Sequence, residues 1–203
     1  MTDPVPATPC TLGAVPGTGP AAPALPPWPA TPPACGPVVL RAFEDVDLPM
    51  ALELSTDPYA PSIGTMPAHA TEAQAADWIA RQRNRWAEGA GFSFAVVDAA
   101  SDRAVGAAGL WLRQLPEGRA TAGYFVVPSA RGRGLAAAAL SAVTAFGWTI
   151  PDLHRIELHI EPWNTASVRT AENAGYQREG LMRSHTEIAG RRRDMLLYAA
   201  VRS

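Results

Sequence analysis

The sequence predicts a mixed α+β domain: a central, mostly antiparallel twisted sheet of about seven strands, with one parallel pair, flanked by about four helices. Three observations lead there. Short runs of alternating or continuous apolar residues, bounded by turn chemistry, recur through the chain as strands. Two stretches, TEAQAADWIARQRNRWAEG (71–89) and GLAAAALSAVTAFGW (134–148), carry apolar residues at helical spacing. The second of these lies between a strand ending at Val127 and the strand HRIELHIE (154–161). A strand–helix–strand crossover makes its two strands parallel, whereas strands joined by tight turns lie antiparallel.

Residues 1–36 are read as a Pro/Ala-rich disordered tail, with Asp3 its single charged side chain. Proline removes donors and fixes φ, so neither helix nor ladder propagates there. The domain is expected over 37–203. VVLRAFE (38–44) opens it as a strand, and DVDLPMALEL (45–54) gives a short helix. STDPYAPSIGTMPAHA (55–70) reads as a Pro/Gly-rich loop. In the helix over 71–89, Thr71 and Gln74 form a capping box, and Ala75, Trp78, Ile79, Gln82 and Trp86 share one face.

Three antiparallel strands follow, GFSFAVVD (91–98), AVGAAGLWLRQ (104–114) and ATAGYFVV (120–127). After the crossover, NTASVRTAENAG (164–175) is a short helix with Asn164 as N-cap and Gly175 as its left-handed stop. YQREGLMRSHTEI (176–188) and RRRDMLLYAAV (191–201), joined by Ala189-Gly190, close the chain as a hairpin.

Composition narrows the function. With 47% apolar residues the chain can bury a real core, and a net charge of −2 gives no general attraction to nucleic acid or anionic lipid. All 17 basic residues are arginine. The two cysteines, Cys10 and Cys35, both fall in the tail, so neither a thiolate metal site nor a disulfide framework is expected. No apolar run reaches membrane-spanning length, and the N-terminus lacks a basic start followed by an apolar stretch. The expectation is a cytoplasmic protein, monomeric or homodimeric, with no nucleic-acid or membrane partner and no metal.

The chemistry-bearing stretch is VVPSARGRGLAAAAL (126–140), where a strand hands over to a helix through Arg131, Gly132, Arg133 and Gly134. A helix start presents unpaired N–H groups and a positive dipole end. Glycines let a phosphate approach the backbone, and two arginines offer charge-assisted donors. A pyrophosphate suits such a loop. The stretch lacks the Lys-Ser/Thr of a Walker A loop. Gly132, Gly134 and Ala137 do fit a dinucleotide fingerprint, with Asp152 about 20 residues on. That reading needs parallel strands leading in, and here three antiparallel strands do so.

Arg131-x-x-Gly134-x-Ala136 after an apolar strand and Val-Pro resembles the coenzyme A loop of the GNAT superfamily of N-acetyltransferases. HRIELHIEPWNTASVRTAENAGYQREGLMR and the closing GRRRDMLLYAA resemble the ribosomal-protein-alanine N-acetyltransferase (RimJ/RimL-like) branch. The resemblance covers about residues 38–202. It implies acetyl-CoA as cosubstrate and transfer of the acetyl group to a primary amine by direct attack in a ternary complex. It places pyrophosphate on the loop Arg131, Gly132, Arg133, Gly134, Leu135 and Ala136. It places the pantetheine arm beside the strand, with backbone donors at Phe125, Val126 and Val127 and a hydrogen bond from Asn164. It makes the Ser167 hydroxyl the proton donor to the departing sulfur.

The general base stays open. Relatives often carry a glutamate just before Gly-Tyr; here Ala120, Thr121 and Ala122 stand there. His185 and Glu187 lie near the position that other relatives use on the penultimate strand, where Thr186 stands. Glu161 is a further candidate, and an amine that arrives neutral needs none. The acceptor wall is expected from loop 57–66, the end of the helix over 71–89 and the turn 187–192, with Asp57 and Glu187 as substrate-binding residues. So few carboxylates favour a protein N-terminal α-amine or a weakly charged small amine over an aminoglycoside. The alternative of another class is a non-catalytic acyl-CoA-binding or regulatory domain that lost its base.

Overall fold

The structure, a computed structural model, describes residues 25–202; residues 1–24, with Cys10, and Ser203 lie outside the described residues. One eight-stranded sheet runs in the order β1-β2-β3-β4-β5-β6-β8-β7. The strands are β1 (Ala34–Cys35), β2 (Val38–Arg41), β3 (Gly91–Asp98), β4 (Arg103–Trp111), β5 (Arg119–Val126), β6 (Arg155–Ile160), β7 (Gln177–Ile188) and β8 (Arg191–Val201). Among the described residues five α-helices accompany them: α1 (Leu48–Ser55), α2 (Ala60–Ile63), α3 (Glu72–Asn84), α4 (Leu135–Gly147) and α5 (Thr165–Asn173). Every strand pair is antiparallel except β5–β6.

Side-chain alternation divides the helices between the two faces of the sheet. Phe92 and Phe94 of β3 both meet Phe146 of α4, edge on. Between them, Ser93 points the other way and donates to Gln82 of α3 at 2.9 Å. All eight residues of β3 are buried, as a strand covered on both faces must be. The expected helix face on α3 is observed for Ala75, Trp78, Ile79 and Gln82. The Thr71–Gln74 capping box is formed. Ala189 and Gly190, with φ of 49° and 73°, make the tight turn between β7 and β8.

Two expectations change. The loop over 55–70 contains the single-turn helix α2, because the Asp57 carboxylate accepts from the N–H groups of Tyr59 and Ala60 and caps it. The domain also begins before residue 37. Trp28 lies 5.7 Å and 4.9 Å, centroid to centroid, from Phe92 and Phe94, so it shares the apolar layer with α4. Ala34 and Cys35 add an edge strand to β2, and the Trp86 indole donates to the Pro26 carbonyl at 2.9 Å. Proline limited regular structure in this segment to those two residues but did not keep an aromatic ring from a core that had room for it.

The parallel β5–β6 pairing is short. It joins Arg119, Ala120 and Thr121 to Arg155, Ile156 and Glu157, and then stops. β5 continues to Val126 bonded only to β4, and β6 continues to Ile160 bonded only to β8. The two strands splay, and the gap opens in the middle of the sheet.

Candidate active site

The splay opens a cavity of about 1010 Å³ that runs from the first turn of α4 to the C-terminal end of α3. Its sheet edge is β5. The Val127 N–H donates to the Val105 carbonyl at 2.9 Å, so it faces β4. Amides two residues apart point the same way along a strand, which turns Phe125 towards β4 as well. Of the three backbone donors expected here, Phe125 and Val127 are therefore spent on the ladder. Val126, and Tyr124 before it, turn their N–H groups towards the gap.

The glycine loop lines the cavity with Gly132, Gly134, Leu135 and Ala136. Gly132 and Gly134 have φ of 78° and 75°, and an added Cβ at either would meet nothing within 4 Å. The glycines thus serve the left-handed turn and leave the approach clear. Gly134 is the N-cap of α4 and offers no side chain, so the first-turn N–H groups stay uncapped beside the cavity.

Arg131 also lines the cavity, and both arginines pair within the protein. Arg131 folds back, donating to the Val126 carbonyl at 3.0 Å and to Asp57 at 2.6 Å. Arg133 pairs with Asp98 at 2.7 Å and does not line the cavity. Each carboxylate is buried and needs a cation, which the guanidinium supplies. Asp57 lies in the cavity wall but holds Arg131 and the start of α2, so it is not a free acceptor-binding carboxylate.

Asn164 caps α5, its side-chain oxygen accepting from the Ser167 N–H at 3.1 Å. Both residues line the cavity. The Tyr124 hydroxyl, which the sequence did not single out, donates to the Ser167 carbonyl at 3.2 Å and ties β5 to the first turn of α5.

His185 and Glu187 do not line the cavity. Both are exposed, on the far side of β8. The β7–β8 ladder breaks between Met182 and Thr186, and Ser184 takes a φ of 51°, which disrupts the regular alternation assumed for this strand. His185 instead stacks edge on against His159 of β6, centroids 4.9 Å apart. His159 does line the cavity. It sits two residues after Glu157, the last β6 residue paired with β5, and its Nε2 is 3.8 Å from the Glu157 carboxylate. Burial and the neighbouring His185 charge push its pKa below the usual histidine value of 6.5, while Glu157 pulls it back. The signal for His159 in the sequence was its place in RIELHI, two residues after Glu157; only the splay gives that position a cavity.

Glu161 is buried, with Arg193 Nε 3.6 Å away. Among the described residues no cluster of three or more His, Cys, Asp or Glu could hold a metal ion, and no helix is long and apolar enough to cross a membrane.

Comparison with known proteins agrees with this architecture. Residues 38–177 match the acetyltransferase (GNAT) domain family. The chain is 27% identical over 165 residues to an uncharacterised N-acetyltransferase p20 of Bacillus licheniformis, covering 81% of this chain and 93% of that one. Among solved structures it resembles Mycobacterium smegmatis RimJ in complex with CoA-disulfide, at 28% identity and a TM-score of 0.68, covering 84% of each chain. It also resembles a ribosomal-protein-serine acetyltransferase assignment from Vibrio cholerae at 18% identity, with a TM-score of 0.71 and coverage of 86% and 99%. A splayed parallel pair, an uncapped helix start after a glycine turn and a family match over most of the chain converge: the protein belongs to the acetyltransferase (GNAT) family, in its RimJ/RimL-like branch, and is an acetyl-CoA-dependent N-acetyltransferase.

Proposed function

We propose that the protein acetylates a primary amine of low positive charge, a protein N-terminal α-amine or a small molecule, by direct attack inside the splayed cavity. One observation carries the reading: β5–β6 pairing stops at Thr121 and Glu157, which leaves the Val126 N–H facing the cavity one loop away from the uncapped start of α4. An extended acyl donor with a pyrophosphate fits such a groove along its length.

The backbone of Gly132 to Ala136 holds the pyrophosphate; Arg131 and Arg133 shape the loop through Asp57 and Asp98. The Asn164 side chain caps α5 and faces the pantetheine arm. The Val126 N–H polarises the thioester carbonyl as negative charge builds on its oxygen. The amine nitrogen attacks the carbonyl carbon, the N–C bond forms and the C–S bond breaks. The amine proton passes to neutral His159, directly or through one water, and the Ser167 hydroxyl passes its proton to the departing thiolate as it takes one from solvent water. Tyr124 positions Ser167 through its carbonyl.

The acceptor side supports low positive charge. Asp57 is the single carboxylate residue in the described lining, and Arg131 already neutralises it. A polyamine or an aminoglycoside needs several free carboxylates. A thiol-release assay over α-amine peptides, amino acids, polyamines and aminoglycosides tests the reading: release is expected with the first two groups. Donor binding without release on any amine would favour the non-catalytic domain instead.

A further inference from the structure

We propose that the α3 wall of the cavity is a carboxylate-binding subsite built by Arg85 and Gln82, and that the acceptor amine carries a carboxylate on an apolar or aromatic body. This rests on the reading that an amine meets the acetyl donor in this cavity, and it narrows the acceptor class.

Gln82 is 3% exposed and lines the cavity. Its Oε1 accepts from Ser93, and among the described residues its Nε2 has no hydrogen-bond partner. A buried amide donor left unpaired is costly, and native proteins keep few. Ser93, Gly109 and Trp111 share its face of the sheet by strand register.

Arg85 lies one helical turn further on, half-buried, on the same wall. Among the described residues no carboxylate comes within 4.0 Å of it. Its recorded neighbours are the Thr65 hydroxyl at 3.4 Å and the Trp111 ring, 5.7 Å from guanidinium carbon to centroid. Exposure alone does not explain this, because Arg83 on the same helix pairs with Asp45 at 2.6 Å. Burial, and then the Arg81 charge, push the Arg85 pKa down, against a weaker pull from Glu88. A cation held in those conditions gains most from an incoming anion.

The floor is shaped for a flat ligand. A Cβ at Gly123 would come within 2.9 Å of the Trp111 ring, and one at Gly109 within 3.2 Å. Two glycines on paired strands therefore let the indole lie down against the sheet. Trp78, Met66 and Phe125 add apolar wall around it. An acceptor whose carboxylate meets Arg85 and the Gln82 Nε2–H rests its body on Trp111 and extends its amine towards His159.

Direct binding tests the subsite apart from catalysis. N-acetylphenylalanine and N-acetylphenylalaninamide, measured by calorimetry on the full chain with CoA present, differ only in the carboxylate. The acid should bind about tenfold tighter than the amide. Arg85→Met keeps the apolar stem and should bring the ratio to about one with amide affinity unchanged; Arg85→Lys should keep part of it. Equal binding of acid and amide by the wild type, a ratio that survives Arg85→Met, or no binding of the acid, each overturns the proposal. Thiol release with phenylalanine and phenylalaninamide separates the two readings. Preferential binding of the acid without acetylation of any amine sinks the transferase reading of the cavity and leaves the subsite standing. Acetylation with no preference for the carboxylate does the reverse.

Discussion

The Asp57 carboxylate sits 2.6 Å from the Arg131 guanidinium and at the same time caps α2 through the N–H groups of Tyr59 and Ala60, at 2.9 and 2.7 Å. One buried side chain thereby locks the glycine loop to the segment that roofs the cavity. Asp57→Ala leaves two amides and one cation without their partner and should cost about 2–4 kcal/mol in chemical denaturation. Burial raises the Asp57 pKa, but the Ala60 N–H, Arg131 and the Tyr59 N–H together outweigh it, so the folded value lies below the ordinary 3.8. The carboxylate's contribution is thus full above about pH 4 and lost as pH falls through the folded value. In Asp57→Asn the acid limb of the stability curve should flatten in that window.

Gly134→Ala and Gly134→Glu separate backbone strain from ligand exclusion. Gly134 has φ of 75° and open space where a Cβ would go. Alanine should therefore cost about 1 kcal/mol of stability, with donor binding weakened only slightly. Glutamate adds bulk and negative charge at the helix start. It should abolish the rise in Tm that acetyl-CoA gives the wild type.

Ser167 and Asn164 are neighbours on α5 with different expected roles. Ser167→Ala should lower kcat by roughly tenfold to a thousandfold with donor Kd unchanged, since the hydroxyl acts once charge builds on sulfur. Asn164→Ala removes the acceptor of the Ser167 N–H. It should lower Tm, by about 1 kcal/mol of cap energy, and weaken donor binding together.

His159→Ala should lower kcat by about a hundredfold or more. A base works in its neutral form, and burial, followed by the His185 charge, holds the His159 pKa below 6.5 against the opposing pull of Glu157. Activity should therefore lose its His159-dependent limb only below that pH. His185→Ala opens one side of the ring and removes the like charge, so the limb should move to higher pH while the plateau stays. Glu187→Gln should change neither. A pH–rate profile in which His185→Ala is inactive and His159→Ala is normal would sink this assignment.

Trp28 anchors the segment before β1. Trp28→Ala should destabilise by about 2 kcal/mol, because the ring leaves a gap against Phe92 and Phe94. A chain starting at residue 37 should melt below one starting at residue 25. Equal melting temperatures would show that the contact contributes nothing.

Features set by near neighbours were legible in the sequence. The Thr71 capping box, the Asn164 cap, the Gly175 stop at φ 83° and the positive-φ glycines of the loop each depend on residues a few positions apart. Features that needed two distant segments were not. Asp57 looked like an acceptor ligand until Arg131, 74 positions away, was found against it. His185 and Glu187 stood in a plausible stretch of sequence, but their strand lies beyond β8 and its ladder breaks beside them, so His185 reaches the His159 ring and neither residue lines the cavity.

By itself the sequence determined most of the helices and strands, their order, and the glycine turn that leaves a helix start uncapped. These follow from periodicity, φ preferences and local hydrogen bonds, while the family was legible only as a resemblance of motifs, and α2 and β1 were not legible at all. Only the tertiary structure decided which donors face the gap. Val126 is freed because β5 and β6 part after Thr121 while β4 keeps the amide of Val127. Only it brought His159, Arg85 and Gln82 to one cavity, because strand register across the sheet and the docking of α3 determine which side chains share a face.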